Sequence, residues 1–109
     1  MKNLITESQF DKIIFKYLDN QDFIQIEIGD SIYFVNSEGD EYAQIRYDED
    51  DGWCGIYYKL IYEISSFFSL DESDSEQVIG RWVENILQMS VTDDPWPTNR
   101  SLRLVENTL

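Results

Sequence analysis

Between Asp22 and Tyr47 the chain alternates apolar and polar residues and turns twice at glycine, a pattern that favours an antiparallel meander over a helix. In Asp22–Ile28, Ile24, Ile26 and Ile28 point one way while Gln25 and Glu27 point the other. Gly29-Asp30 reads as a tight turn into Ser31-Ile32-Tyr33-Phe34-Val35. Ser37-Glu38-Gly39-Asp40 reads as a second turn, leading to Glu41–Tyr47, where Ala43, Ile45 and Tyr47 share a face. Ile24, Ile26, Phe34 and Ile45 are therefore expected among the buried positions.

Helical spacing flanks this sheet. Thr6, with Gln9 three residues on, gives a capping-box pattern, and Phe10, Ile13, Ile14, Tyr17 and Leu18 recur behind it. Asp19-Asn20-Gln21 ends that helix. After the loop Asp48-Glu49-Asp50-Asp51-Gly52, the residues Tyr57, Leu60, Ile61, Ile64, Phe67 and Phe68 fit a second helix, although Trp53 to Tyr58 could open as a fourth strand. The spacing favours helix from about Ile56. Ser73 or Ser75 is expected to cap a last helix with Val78, Ile79, Trp82, Val83, Ile86 and Leu87 on one face. Asp94-Pro95-Trp96-Pro97 must be extended, and a final, weakly patterned strand is expected over Ser101–Glu106. The expected fold is α+β: a small antiparallel meander of three to four strands, with an N-terminal helix and two C-terminal helices packed on it.

At 109 residues, 42% hydrophobic and 15% aromatic, the chain is one domain's length and too rich in core formers for a disordered acidic tail. The single cysteine, Cys54, precludes an intramolecular disulfide and fits a reducing compartment. The opening residues lack the apolar core of a signal peptide, and Ile56 to Leu70 is too short and too charged to span a bilayer. A soluble, cytoplasmic protein is the expectation.

Charge says more about function. Twenty-two acidic and eight basic residues give a net charge of −14. Residues 19–76 hold sixteen acids against only Arg46 and Lys59, so the middle of the chain accounts for all of it. Single-sign charge concentrated in this way repels itself and steers cationic partners inward. Direct contact with nucleic acid or an anionic membrane needs a basic patch, and the sequence offers none.

Catalytic chemistry is poorly supplied. Without histidine there is no imidazole-assisted nucleophile, and Cys54 between Trp53 and Gly55 reads as a small core residue. A calcium loop with Gly52 at its sixth position would need a carboxylate where Tyr47 stands and a glutamate where Tyr58 stands, so the match fails. Loose divalent-ion binding at Asp48–Asp51 is the residual possibility. Glu63 and Glu84 lie among apolar helix residues, but any acidic chain supplies such pairs. The expectation is a non-enzyme with no cofactor and no resident metal.

The candidate contact residues follow from the charge. They are Glu38, Asp40, Asp48, Glu49, Asp50 and Asp51 in the turns, with Trp53 as an aromatic anchor or a plug at the end of the sheet. Asp71, Glu72 and Asp74 form a possible second arm. Trp96, between prolines, reads more readily as pinning the tail to its own domain than as a contact.

In Glu38-Gly39-Asp40-Glu41, in Asp48-Glu49-Asp50-Asp51-Gly52-Trp53 and in the helix Glu76–Gln88 with Trp82, the chain resembles bacterial toxin-immunity proteins. The similarity is to those of contact-dependent growth inhibition systems and nuclease bacteriocins. It lies in size, acidity and layout across most of the chain, and carries no residue over by position. It implies binding to a basic toxin domain, typically a nuclease, whose cationic groove an acidic protein complements. A DNA-mimicking inhibitor and an acidic adaptor are the alternatives. The first needs charge laid along a duplex-like surface, whereas these acids cluster at turns.

Overall fold

The structure, a computed structural model, describes residues 7–36, 42–92, 95–98 and 102–103. Helix α1 spans Glu7–Asp19, and its periodic residues Ile14 and Leu18 are fully buried. Thr6, its expected cap, lies outside the described residues. The chain leaves α1 through Asp22, which takes a left-handed conformation at φ 56°. Strands β1 (Ile24–Ile28) and β2 (Ser31–Val35) then pair antiparallel in register from Ile24 opposite Val35 to Ile28 opposite Ser31. Gly29 closes the hairpin at φ 61° as the first of two turn residues, a conformation that costs glycine nothing and suits the strand twist.

The following turn, with Glu38 and Asp40, lies outside the described residues. Beyond it come β3 (Tyr42–Ala43) and β4 (Ile45–Asp48), interrupted at Gln44. The Gln44 N–H donates to the Phe34 carbonyl at 2.8 Å, and the Gln44 carbonyl accepts from the Tyr57 N–H at 2.8 Å. The interruption therefore behaves as a bulge and shifts the pleat by one residue. This corrects one expectation: Ala43 packs with Tyr33 and Val35, on the opposite face from Ile45 and Tyr47.

A second correction concerns the helix expected from Ile56. Trp53–Tyr57 is strand β5, paired with β4 on one side, and helix α2 runs from Tyr58 to Phe68. Backbone pairing outweighs side-chain period here. Helix α3 spans Glu72–Leu87. Its cap is neither Ser73 nor Ser75 but Asp71, whose Oδ1 accepts the Asp74 N–H at 2.8 Å. Ser75 is instead buried, its hydroxyl donating to the Asp71 carbonyl at 3.0 Å.

After α3, β6 (Trp96–Thr98) adds beside β5 in parallel, and β7 (Leu102–Arg103) pairs with β3 in a separate two-stranded sheet. The main sheet is thus five-stranded, in the order β1-β2-β4-β5-β6, and antiparallel except at its last pair. Of the strand expected over Ser101–Glu106, only residues 102–103 are described.

The three helices cover one face, where Ile32, Phe34, Ile45, Tyr47, Cys54 and Ile56 meet Ile14, Leu18, Leu60, Ile61, Ile64, Val78, Ile79, Trp82 and Val83. Trp82 ties this core to α1 by donating from Nε1 to Asp19 Oδ1 at 2.9 Å, and Arg81 holds Asp11 through two hydrogen bonds of 2.6 and 3.0 Å. Three periodic apolar positions of the helices are exposed outside it: Ile13 of α1 is 50% exposed, Phe67, 67% exposed, stacks on Tyr17, and Ile86 is 36% exposed near the end of α3. Ile24 and Ile26, expected to be buried, are half-buried on the face away from the helices, because β1 is an edge strand. No helix among the described residues is long and apolar enough to cross a membrane.

Candidate functional site

Antiparallel order brings the β1–β2 turn and the β4–β5 loop to the same end of the sheet, since Ser31 lies opposite Asp48 and Asp48 opposite Trp53. Asp30, Glu49, Asp50 and Asp51 therefore share one end. The Glu49 N–H donates to the Asp30 carbonyl at 2.8 Å, which joins the two turns directly. Asp30 was not singled out by the sequence; its position across the sheet from the longer acidic loop becomes visible only with the strand register.

The loop is held firmly. The Gly52 N–H donates to the Asp48 carbonyl at 2.9 Å, and the Trp53 N–H donates to Asp51 Oδ1 at 3.0 Å. Gly52 has φ 75°, and a Cβ there would approach the Thr92 methyl to 2.7 Å, so position 52 requires glycine twice over. Thr92 clamps the loop from outside: its hydroxyl donates to the Asp51 carbonyl and its N–H to the Gly52 carbonyl. Beneath, the buried Tyr47 donates from its hydroxyl to the Ser90 carbonyl at 2.7 Å. Ser90 and Thr92, after α3, carry no sequence signal that would have marked them as supports.

The like charges gathered at this end bear on Asp50. The Asp50 carboxyl is raised from its ordinary value, chiefly because the Asp30 charge faces it, with slight desolvation, a hydrogen bond to Asp30 and the charges of Asp51 and Asp48 adding to the effect. A cation brought against this end would relieve that repulsion and favour the ionised carboxylates.

The expected acidic contact residues that fall among the described residues divide into three groups. Glu49, Asp50 and Asp51 form the exposed acidic end together with Asp30. Asp48 belongs to the structure: it accepts from the Ser31 hydroxyl at 2.6 Å and pairs with Arg46 at 2.9 Å. Asp71, Glu72 and Asp74 sit at the start of α3, whose sixteen residues separate them by about 24 Å along the helix axis from its other end, beside the acidic loop. They do not join the same patch. Asp71 is used as the cap, and Glu72 accepts from the Tyr58 hydroxyl at 2.8 Å.

Trp53 is half-buried and lies over Gly55 on the face away from the helices, with the Arg46 guanidinium 5.9 Å from its ring centroid and 5.5 Å from that of Tyr33. It packs flat on the sheet instead of projecting from its end. Trp96, 61% exposed, is in β6 opposite Gly55.

Among the described residues, no group of three or more histidine, cysteine, aspartate or glutamate side chains is placed to hold a metal ion. Cys54 is buried in the core, and burial, with the Glu84 charge adding to it, pushes its thiol up to about 12. At neutral pH it is a thiol and a poor nucleophile. No family model, curated protein or solved structure matches the chain.

Proposed function

We propose that this chain is an acidic inhibitor of the immunity type, which binds and neutralises a basic toxin domain, a nuclease, and has no turnover of its own. The observation that carries the reading is the acidic end of the sheet, where Asp30, Glu49, Asp50 and Asp51 are held by backbone hydrogen bonds despite mutual repulsion. A pre-formed anionic surface loses little conformational entropy on binding. It also gains from each cation brought against it where water is excluded. A nuclease must present a cationic groove to its substrate, so such a surface competes for that groove. The net charge of −14 adds long-range steering, which makes capture fast.

The test is protection. The reading frame adjacent to this one in its native genome is expressed with and without the chain, and the purified products are titrated for nuclease activity. Stoichiometric loss of activity, with growth restored, is the expected result. An adjacent product that is not toxic, or whose toxicity the chain does not relieve, refutes the proposal.

A further inference from the structure

The two edges of the five-stranded sheet are not alike. Strand β6 is three residues long and includes Pro97, which has no N–H to offer a further strand. Strand β1, at the other edge, is five residues long without proline or lysine, and among the described residues it pairs only with β2. Its unused hydrogen-bonding groups follow from the turn. In a two-residue hairpin the residues flanking the turn exchange both of their bonds, so Ile28, Ile26 and Ile24 direct their N–H and C=O groups towards β2. The N–H and C=O groups of Gln25 and Glu27 then point outward from the sheet.

The side chains of the edge are equally asymmetric. Ile24 and Ile26 are half-buried and Ile28 is 41% exposed, in a row on the face away from the helices. Gln25 and Glu27 are exposed on the other face. Charge is of one sign: Asp22, Glu27 and Asp30 flank or belong to the strand, and no lysine or arginine occurs between Lys16 and Arg46. The acidic loop adjoins the Asp30 end through the Glu49–Asp30 hydrogen bond.

We infer that β1 is a docking edge for an extended segment of a basic protein partner, which adds to the sheet as a sixth strand with lysine or arginine opposite Gln25 and Glu27 and apolar residues opposite the three isoleucines. Main-chain bonds supply the adhesion and the alternation supplies the selectivity. This rests on the reading of the partner as basic, and adds to it the segment's conformation and pattern. A second copy of the chain is a poor occupant, because its own edge would bring Glu27, Asp22 and Asp30 against like charges.

The probe is a fluorescent, end-blocked pentapeptide, Val-Lys-Val-Lys-Val, followed by anisotropy at low salt. Its controls are the same peptide methylated on the lysine backbone nitrogens and the Val-Glu-Val-Glu-Val peptide. Binding of the first alone is expected, with methylation weakening it at least about tenfold and the Gln25 and Glu27 amide protons slowing their exchange when it is bound. Gln25→Pro removes an outward N–H without touching the hairpin's own bonds and should weaken binding equally. Glu27→Lys should transfer the preference to the glutamate peptide.

Absence of peptide binding overturns the inference. So does a methylated peptide that binds as well as its parent, since that reports charge adsorption alone. Self-association of the protein that Gln25→Pro abolishes would assign the edge to a second copy. If Gln25→Pro still neutralises a captured toxin at full strength, the edge fails while the inhibitor reading stands.

Discussion

Trp53 either lies flat on the sheet or swings free to anchor a partner, and Gly55 separates these possibilities. Gly55 does not have a positive φ, so alanine there should stabilise the fold by about 0.4–1 kcal/mol through loss of unfolded-state freedom. In the native structure the new Cβ would come within 2.8 Å of Trp53 Cζ3 and 3.1 Å of Cζ2. The ring, already confined by Arg46, must be displaced, at a cost of about 1–3 kcal/mol for overpacking. Gly55→Ala should therefore destabilise the wild type by about 1–2 kcal/mol, lowering Tm by roughly 4–8 °C per kcal/mol. With Trp53→Ala present, the same change should stabilise instead. The coupling is about 1–3 kcal/mol. Urea unfolding of the wild type, both single variants and the double variant, followed by far-UV circular dichroism, measures it. Additivity within about 0.5 kcal/mol would mean that the ring does not rest on Gly55.

Trp82→Phe removes the Nε1–H bond to Asp19 and should cost about 1–2 kcal/mol, whereas Trp82→Ala should cost about 3–5 kcal/mol, both read from denaturant midpoints. Replacing Glu49, Asp50 and Asp51 with their amides should slow association with a basic partner by roughly one to three decades at low salt and flatten the salt dependence, as stopped-flow mixing would show. Asp48→Asn should instead act on stability, because it weakens the Arg46 pair at the base of the loop. For Cys54 the folded thiol titrates above the unfolded one. Stability is therefore undiminished below about 9 and is lost as pH rises from there towards about 12. The same shift predicts that a thiol reagent at pH 8 labels the unfolded protein but not the native one.

Local pattern carried much of this fold. Alternation in β1 with glycine at position 29 marks the start of the first hairpin, and Phe10, Ile14 and Leu18 mark α1, because in both the period matches the element. Elsewhere the period misleads for identifiable reasons. Trp53–Tyr57 is continuously apolar because one sheet face meets the helices while the other carries the Trp53 ring over Gly55, and such a run has no distinctive period. Gln44 shifts the pleat, so the alternation of Ala43, Ile45 and Tyr47 crosses faces. The cap of α3 falls on Asp71 and not on either serine, a choice among adjacent capping residues that composition alone does not rank.

The candidate site was legible in part. The acidity of Asp48–Asp51 is plain from the sequence, but the division of labour is not. Asp48 is committed to Ser31 and Arg46 by strand register, and Asp30 joins the patch by the same register. Asp71 and Glu72 are adjacent to neither, because a helix of sixteen residues carries them away.

The parallel attachment of β6 also bears on how the molecule assembles. Ile45 and Ile56, paired across β4 and β5, are 11 residues apart, whereas Gly55 and Trp96 are 41 apart and separated by both α2 and α3. Closing the longer loop costs about 1.2 kcal/mol more in chain entropy, and only three residues of strand repay it. The four antiparallel strands can zip by short-range contacts, with β6 joining after the helices have docked. On opening, the order should reverse. Native-state hydrogen exchange is therefore expected to find the backbone of Trp96 and Thr98 exchanging through a partial unfolding that leaves β2, β4 and the helices intact.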